Sequence, residues 1–171
     1  VEQLEQRQGL FSALDDDTYL GPRSVAAAFR AAGSGVALIA ALLDPARYPH
    51  PVTQVELMQT LCAWVLLAGE HAYKIKKPLT LDFLDFGTLA QRRAACEEEL
   101  RINRRSAPEL YLEVLPITGT PAAPRLGGDA AQAIEWAVHM RRFPPGALLA
   151  ERAARGALGP AQIDALARAV A

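Results

Sequence analysis

The chain has 171 residues, 51% hydrophobic and 22% charged, an ordinary balance for one globular domain and part of a second. Its 18 basic and 19 acidic residues nearly cancel, so no global field draws it to nucleic acid or to an anionic membrane. Cys62 and Cys96 lie apart in apolar segments without a CxxC pair, which argues against a disulfide framework and fits a reducing cytoplasm.

The first 35 or so residues carry no recognisable chemistry. "DDD" at Asp15 to Asp17 is a solvated turn or helix start, and "SVAAAFRAAG" predicts a short helix from Ser24 to a stop at Gly33. Glu2, Glu5 and Arg7 interrupt any signal-peptide core, and "AAGSGVALIAALL" is too short to span a bilayer, so a cytoplasmic location without membrane contact is expected. Alanine-rich, lysine-poor tracts fit a GC-rich bacterial genome. "VALIAALLDPARYPHP" predicts a helix ended by proline, then an extended stretch.

From Val55 the pattern becomes that of strands. "VELMQT" and "LCAWVLLAG" are apolar and β-compatible, Gly69-Glu70 is a tight turn, and "HAYKIKK" follows until Pro78. Thr88 and Gln91 have capping-box spacing, so a helix starts there and runs to about Ala107, before Pro108. "LYLEVLPITG" predicts a strand, "TPAAPRLGGDA" a Pro/Gly hairpin connection, and "IEWAVHMRRF" a further strand ended by Pro144-Pro145. From Ala147 onward the chain reads as helical, with a break at "GALGP". The expected fold class is α+β, with about five antiparallel strands, one helix between the third and fourth, and helices at both ends. This is the layout of a protein-kinase-like N-terminal lobe.

Alternation along "HAYKIKK" puts Ala72, Lys74 and Lys76 on one strand face and Tyr73, Ile75 and Lys77 on the other. A kinase β3 strand reads V-A-I-K, and its lysine pairs with nucleotide phosphates and a helix glutamate. Ala72-Tyr73-Lys74 has that A-x-K spacing. An edge strand guarded by lysines, or a basic nucleic-acid patch, gives the same letters. On the helix, Glu97 lies near Arg93 and Arg101, on a solvated face, and Glu98 is intermediate. Glu99 lies beside the Leu89/Cys96/Leu100 stripe, turned toward the sheet, where a carboxylate needs a cation. Asp85-Phe86-Gly87 copies the kinase magnesium tripeptide, but it precedes the helix and no H-x-D occurs at His50, His71 or His139. Asp85 is therefore read as loop structure. Glycine-rich phosphate loops, Walker A, zinc spacing and G-x-S-x-G are absent.

The segments "LLDPARYPHPV", "WVLLAGEHAYKIKKPL", "FLDFGTLAQRRAACEEELRINRRSAPELYLEVLPI" and "EWAVHMRRFP" resemble the N-terminal part of bacterial aminoglycoside-phosphotransferase-like proteins, over roughly Ala37 to Ala171. In many members that kinase-like domain is followed by a P-loop ATP-binding domain. The resemblance implies ATP- and Mg²⁺-dependent phosphoryl transfer to a small molecule. It makes Lys74 the phosphate lysine, Glu99 its helix partner, Ala72 the small residue beneath adenine, and the segment Met140, Arg141 to Phe143 the adenine-facing hinge. It divides the chain into an N-terminal extension (1–36), a kinase-like lobe (37–143) and a hinge exit with the helical start of a C-terminal lobe (144–171). The catalytic base, magnesium ligands and most of the acceptor pocket are expected in that further lobe, which leaves this chain without a catalytic residue of its own. Asn103, Arg104 and Arg105 match the family's "LNRR" run, without an assigned role. Gln59-Thr60-Leu61 departs from the Glu-Thr-His run that the family carries before its tryptophan strand. Two alternatives remain: a stand-alone module binding nucleic acid or a partner through the basic strand, and a pseudokinase-like scaffold.

Overall fold

A computed structural model of the chain describes residues 35–144, 146–147 and 149–170. The predicted helix from Ser24 to Gly33 and the "DDD" stretch lie outside these residues. Helix α1 (residues 35–42) is followed by a 3₁₀ turn, Pro45–Arg47, capped by Asp44, whose side chain accepts from the Ala46 N–H at 2.9 Å. Then come strands β1 (Val55–Gln59), β2 (Ala63–Ala68) and β3 (His71–Lys76), and a small hairpin of β4 (Thr80–Leu81) and β5 (Leu84–Asp85). Helix α2 (Leu89–Asn103) leads to β6 (Tyr111–Thr120), β7 (Ala123–Leu126) and β8 (Glu135–Arg141). Helices α3 (Leu149–Ala154) and α4 (Pro160–Val170) complete the described chain.

The fold is α+β. Six strands form one antiparallel sheet in the order β1-β2-β3-β8-β6-β7, and β4-β5 stands apart. Three features differ from the expectation. The Pro/Gly stretch read as a loop contains β7, an edge strand that tolerates Pro124 because its outer side needs no ladder partner. The β4–β5 hairpin occupies the strand-to-helix connection and was not expected. α2 also ends at Asn103, four residues short of the expected end.

Local chemistry explains the elements. Gly69 adopts φ +59° in the two-residue β2–β3 turn, and a Cβ there would come within 3.1 Å of the Pro51 carbonyl oxygen. α2 begins with the expected capping box: Thr88 Oγ1 accepts from the Gln91 N–H, and Gln91 Oε1 accepts from the Thr88 N–H at 2.9 Å. β3 lies inside the sheet between β2 and β8, so it is not an edge strand.

Both sheet faces are covered. On one, Leu38, Ile39 and Leu42 of α1 pack with Tyr48, Trp64, Leu66, Tyr73, Ile75, Ile117 and Ala137. On the other, α2 crosses β8 and β6, and Cys96 packs with Ala72, Trp136, Val138 and Met140. Burial pushes the Cys96 thiol up to about 12, so this cysteine is an inert packing group. No helix among the described residues is long and apolar enough to cross a membrane.

Candidate functional site

The site is built where side chains of β3 reach α2, which crosses the neighbouring strands β8 and β6. Pairing of Ala72 with Met140 and of Lys74 with Val138 fixes the register of β3 on β8 and sets Ala72, Lys74 and Lys76 toward the helix. On the helix, Leu89, Arg92, Cys96 and Glu99 recur at three- and four-residue spacing, so they share one stripe. Two of the four are charged, and each meets an opposite charge from the sheet.

Glu99 receives two lysines, one on each carboxylate oxygen. Lys74 Nζ donates to Oε1 at 2.7 Å, and Lys76 Nζ donates to Oε2. The Glu99 side chain is 13% exposed, Lys74 28% and Lys76 8%. Burial by itself would raise the Glu99 carboxyl; the hydrogen bonds and charges of Lys74 and Lys76 outweigh it and hold the group below its usual range. The Lys76 ammonium also lies over the Phe86 ring, 5.4 Å from its centroid. Its neighbours on the helix behave differently. Glu97 pairs with Arg93 at 2.7 Å and Glu98 with Arg101, both exposed.

Arg92 is the second inward charge. Its Nε donates to both Glu135 oxygens, at 3.0 and 2.8 Å, and its Nη1 to the Phe86 carbonyl at 2.9 Å. Burial pushes the Glu135 carboxyl up, against the pull of Arg92 and the Trp136 N–H. This pair was not anticipated. Its signal was present, since Arg92 lies three residues after Leu89 and four before Cys96.

The remaining expected positions are distributed as follows. Ala72 and Met140 are buried side by side beneath α2. Arg141 is exposed, and its N–H donates to the Leu110 carbonyl at 2.9 Å. The Arg142 N–H donates to the Glu70 carbonyl at 2.8 Å, while its guanidinium pairs with Glu56 of β1 at 2.8 Å. Phe143 is 43% exposed. Asp85, read from the sequence as loop structure, lies in the two-residue strand β5. Its carboxylate accepts from the Gly87 N–H and from Thr80 Oγ1, both at 3.0 Å, and these bonds lower its pKa. It ties the small hairpin to the start of α2.

Asn103 and Arg104 also acquire places. Asn103 Nδ2 donates to the Glu99 carbonyl at 2.8 Å, closing the helix turn that carries Glu99. Arg104 reaches across to the Tyr111 carbonyl at 2.8 Å and to that of Leu112, tying the end of α2 to β6. Lys77 does not join its two neighbours: it sits on the opposite face, donates to the Thr60 carbonyl at 2.6 Å, and lies over Trp64. Burial lowers its pKa.

That opposite face holds an aromatic cluster. Tyr73 OH and His50 Nε2 are 2.9 Å apart, as are His139 Nε2 and His71 Nδ1. His50 and His71 ring centroids lie 4.4 Å apart, and the Tyr73 and His139 rings stack at 4.7 Å. Glu113 accepts from His139 Nδ1 at 3.1 Å. Among the described residues no group of three or more His, Cys, Asp and Glu is arranged to hold a metal ion.

No family model matches the chain. No solved structure matches it either. Curated relatives include Mb2027c of Mycobacterium bovis and Rv2004c of Mycobacterium tuberculosis, both described as uncharacterized proteins. Each is 36% identical over 125 residues, which are 71% of this chain and 23% of the relative. The chain therefore spans less than a quarter of the length of the curated relatives it matches.

Proposed function

We propose that this chain is the nucleotide-binding lobe of an aminoglycoside-phosphotransferase-like kinase, with Lys74 meeting the phosphates of ATP and Glu99 fixing that lysine. The observation that carries this reading is the part-buried Lys74–Glu99 ion pair, 2.7 Å between β3 and α2. A strand lysine paired with a helix glutamate is the arrangement that kinases use to hold the α- and β-phosphates. The setting supports it: α2 falls between the third and fourth strands of the large sheet, and Ala72 lies two residues before the lysine. The Arg141 and Arg142 N–H groups are engaged by Leu110 and Glu70, so adenine would be met by other backbone groups of the 140–143 segment. Phe143, Leu149, Ile163 and Leu166, each at least 40% exposed, offer apolar surface that a following lobe would cover.

In this reading the lobe contributes positioning and electrostatic stabilisation, not bond making. Phosphoryl transfer to a small molecule, and the Mg²⁺ ligands, belong to residues beyond this chain. A basic nucleic-acid strip is less well supported. Lys76 is 6% exposed and faces Glu99, while Lys77 lies on the other face, so the three lysines form no common exposed surface.

Titration of the chain with millimolar MgATP, followed by backbone amide NMR, tests the proposal. Saturable shifts at Ala72, Lys74 and residues 140–143, lost in Lys74→Met, are expected. Absence of shifts there, or steeply salt-dependent binding of RNA or DNA unaffected by ATP, would sink it.

A further inference from the structure

Glu99 is one carboxylate held by two lysines, and the two are not equivalent. Lys76 is boxed in: its side chain is 8% exposed, its ammonium donates to Glu99 Oε2, and the Phe86 ring covers it. Lys74, on the same face two residues earlier, is 28% exposed and takes the other oxygen. A buried charge left without a partner is costly, several kcal/mol in typical proteins. Were Lys74 the sole cation here, drawing it toward a ligand would strand Glu99 as an unpaired buried carboxylate. With Lys76 in place, Glu99 keeps a full counter-charge while Lys74 is shared with a ligand.

We propose that Lys76 is a positioning residue: it holds and neutralises Glu99 permanently, and so lets Lys74, still set by Glu99, donate at the same time to the phosphate oxygens of a bound nucleotide. The sharing of Lys74 with phosphate rests on the nucleotide reading above; the holding of Glu99 by Lys76 does not. Asn103, bonded to the Glu99 carbonyl, keeps the same helix turn in place.

The experiment follows the Glu99 side-chain carboxyl by ¹³C NMR in pH titrations of the wild-type chain, Lys74→Met and Lys76→Met, with and without MgATP. Without ligand, Lys76→Met is expected to raise the Glu99 midpoint and lower Tm more than Lys74→Met does. With MgATP, the wild-type Glu99 midpoint should stay depressed while the Lys74 ammonium resonance shifts, and Lys74→Met should weaken binding about tenfold or more. Should Lys76→Met fail to fold, ammonium hydrogen exchange in the wild type reads the same asymmetry, slow at Lys76 and fast at Lys74. Equal effects of the two substitutions, or equal exchange, overturn the holding role whatever the nucleotide does. A wild-type chain that shows the asymmetry but binds no MgATP overturns the nucleotide reading and the sharing of Lys74 with it, and leaves Lys76 as the fixed partner of Glu99.

Discussion

His71 is the residue where charge and crowding collide. Burial lowers its pKa first, then the neighbouring His50, His139 and Arg141, with Glu70 opposing. Glu113 faces His139 from β6, and Tyr73 and Tyr48 fill the space between, Tyr73 with its phenol pushed up to about 12 by burial. Because the folded-state pKa of His71 lies below its unfolded value of about 6.5, the unfolded chain binds the proton more readily. Its stabilising contribution is complete above that pH and declines as the pH falls. Thermal melts from pH 8 to pH 5 should therefore show a loss of Tm that is smaller in His71→Asn; identical slopes would remove His71 as the cause. At this scale the sequence was legible for Glu99, because helix spacing alone separates it from Glu97 and Glu98. The partners of Arg92 and Lys76 were not legible. A charged letter is read as solvated unless its counter-charge is known, and Glu135 lies 43 residues from Arg92. The histidine cluster was hidden for the same reason, since His50, His71 and His139 meet only through the pairing of β3 with β8 and the packing of the segment before β1.

Among the elements, α2 is unusual in carrying two charged residues on its inward stripe. The Arg92–Glu135 contact is the more fully buried of its ion pairs, with 9% and 7% side-chain exposure. Removing one member leaves the other charge buried and alone. Arg92→Met or Glu135→Leu separately is expected to cost about 3 kcal/mol or more, and the double substitution distinctly less than the sum. Urea denaturation of the four proteins checks this, and strict additivity would show that the pair is not coupled. The long elements and the Gly69-Glu70 turn were readable because periodicity and turn chemistry are local. β7 and the β4–β5 hairpin were not. They are strands of four and two residues in Pro- and Gly-containing sequence, held by partners rather than by their own propensity.

For the whole molecule, the sheet is a shared wall between two cores. Leu42, fully buried on the α1 side, packs against the same β3 whose other face carries Lys74 and Lys76. Leu42→Ala should cost about 2–5 kcal/mol, and amide exchange should quicken in β3 and β8 as well as in α1. Protection lost only in α1 would mean the two sides unfold independently. Five strands, β1, β2, β3, β6 and β8, could be read along the chain from the sequence; their order across the sheet could not. β8 inserts between β3 and β6, a choice made by long-range packing that no local pattern records.

The alternation of β3 gives it the properties of a reading frame. Its odd-numbered positions spell imidazole, phenol and isoleucine for the core under α1, and its even-numbered ones spell alanine, lysine and lysine for the surface under α2. One extra residue between Tyr73 and Lys74 would garble everything downstream: ammonium groups would face Leu38, Ile39 and Leu42, and Ile75 would face Glu99. Point changes in this strand are spelling errors confined to one side. A single insertion is a frameshift, lost to both cores at once.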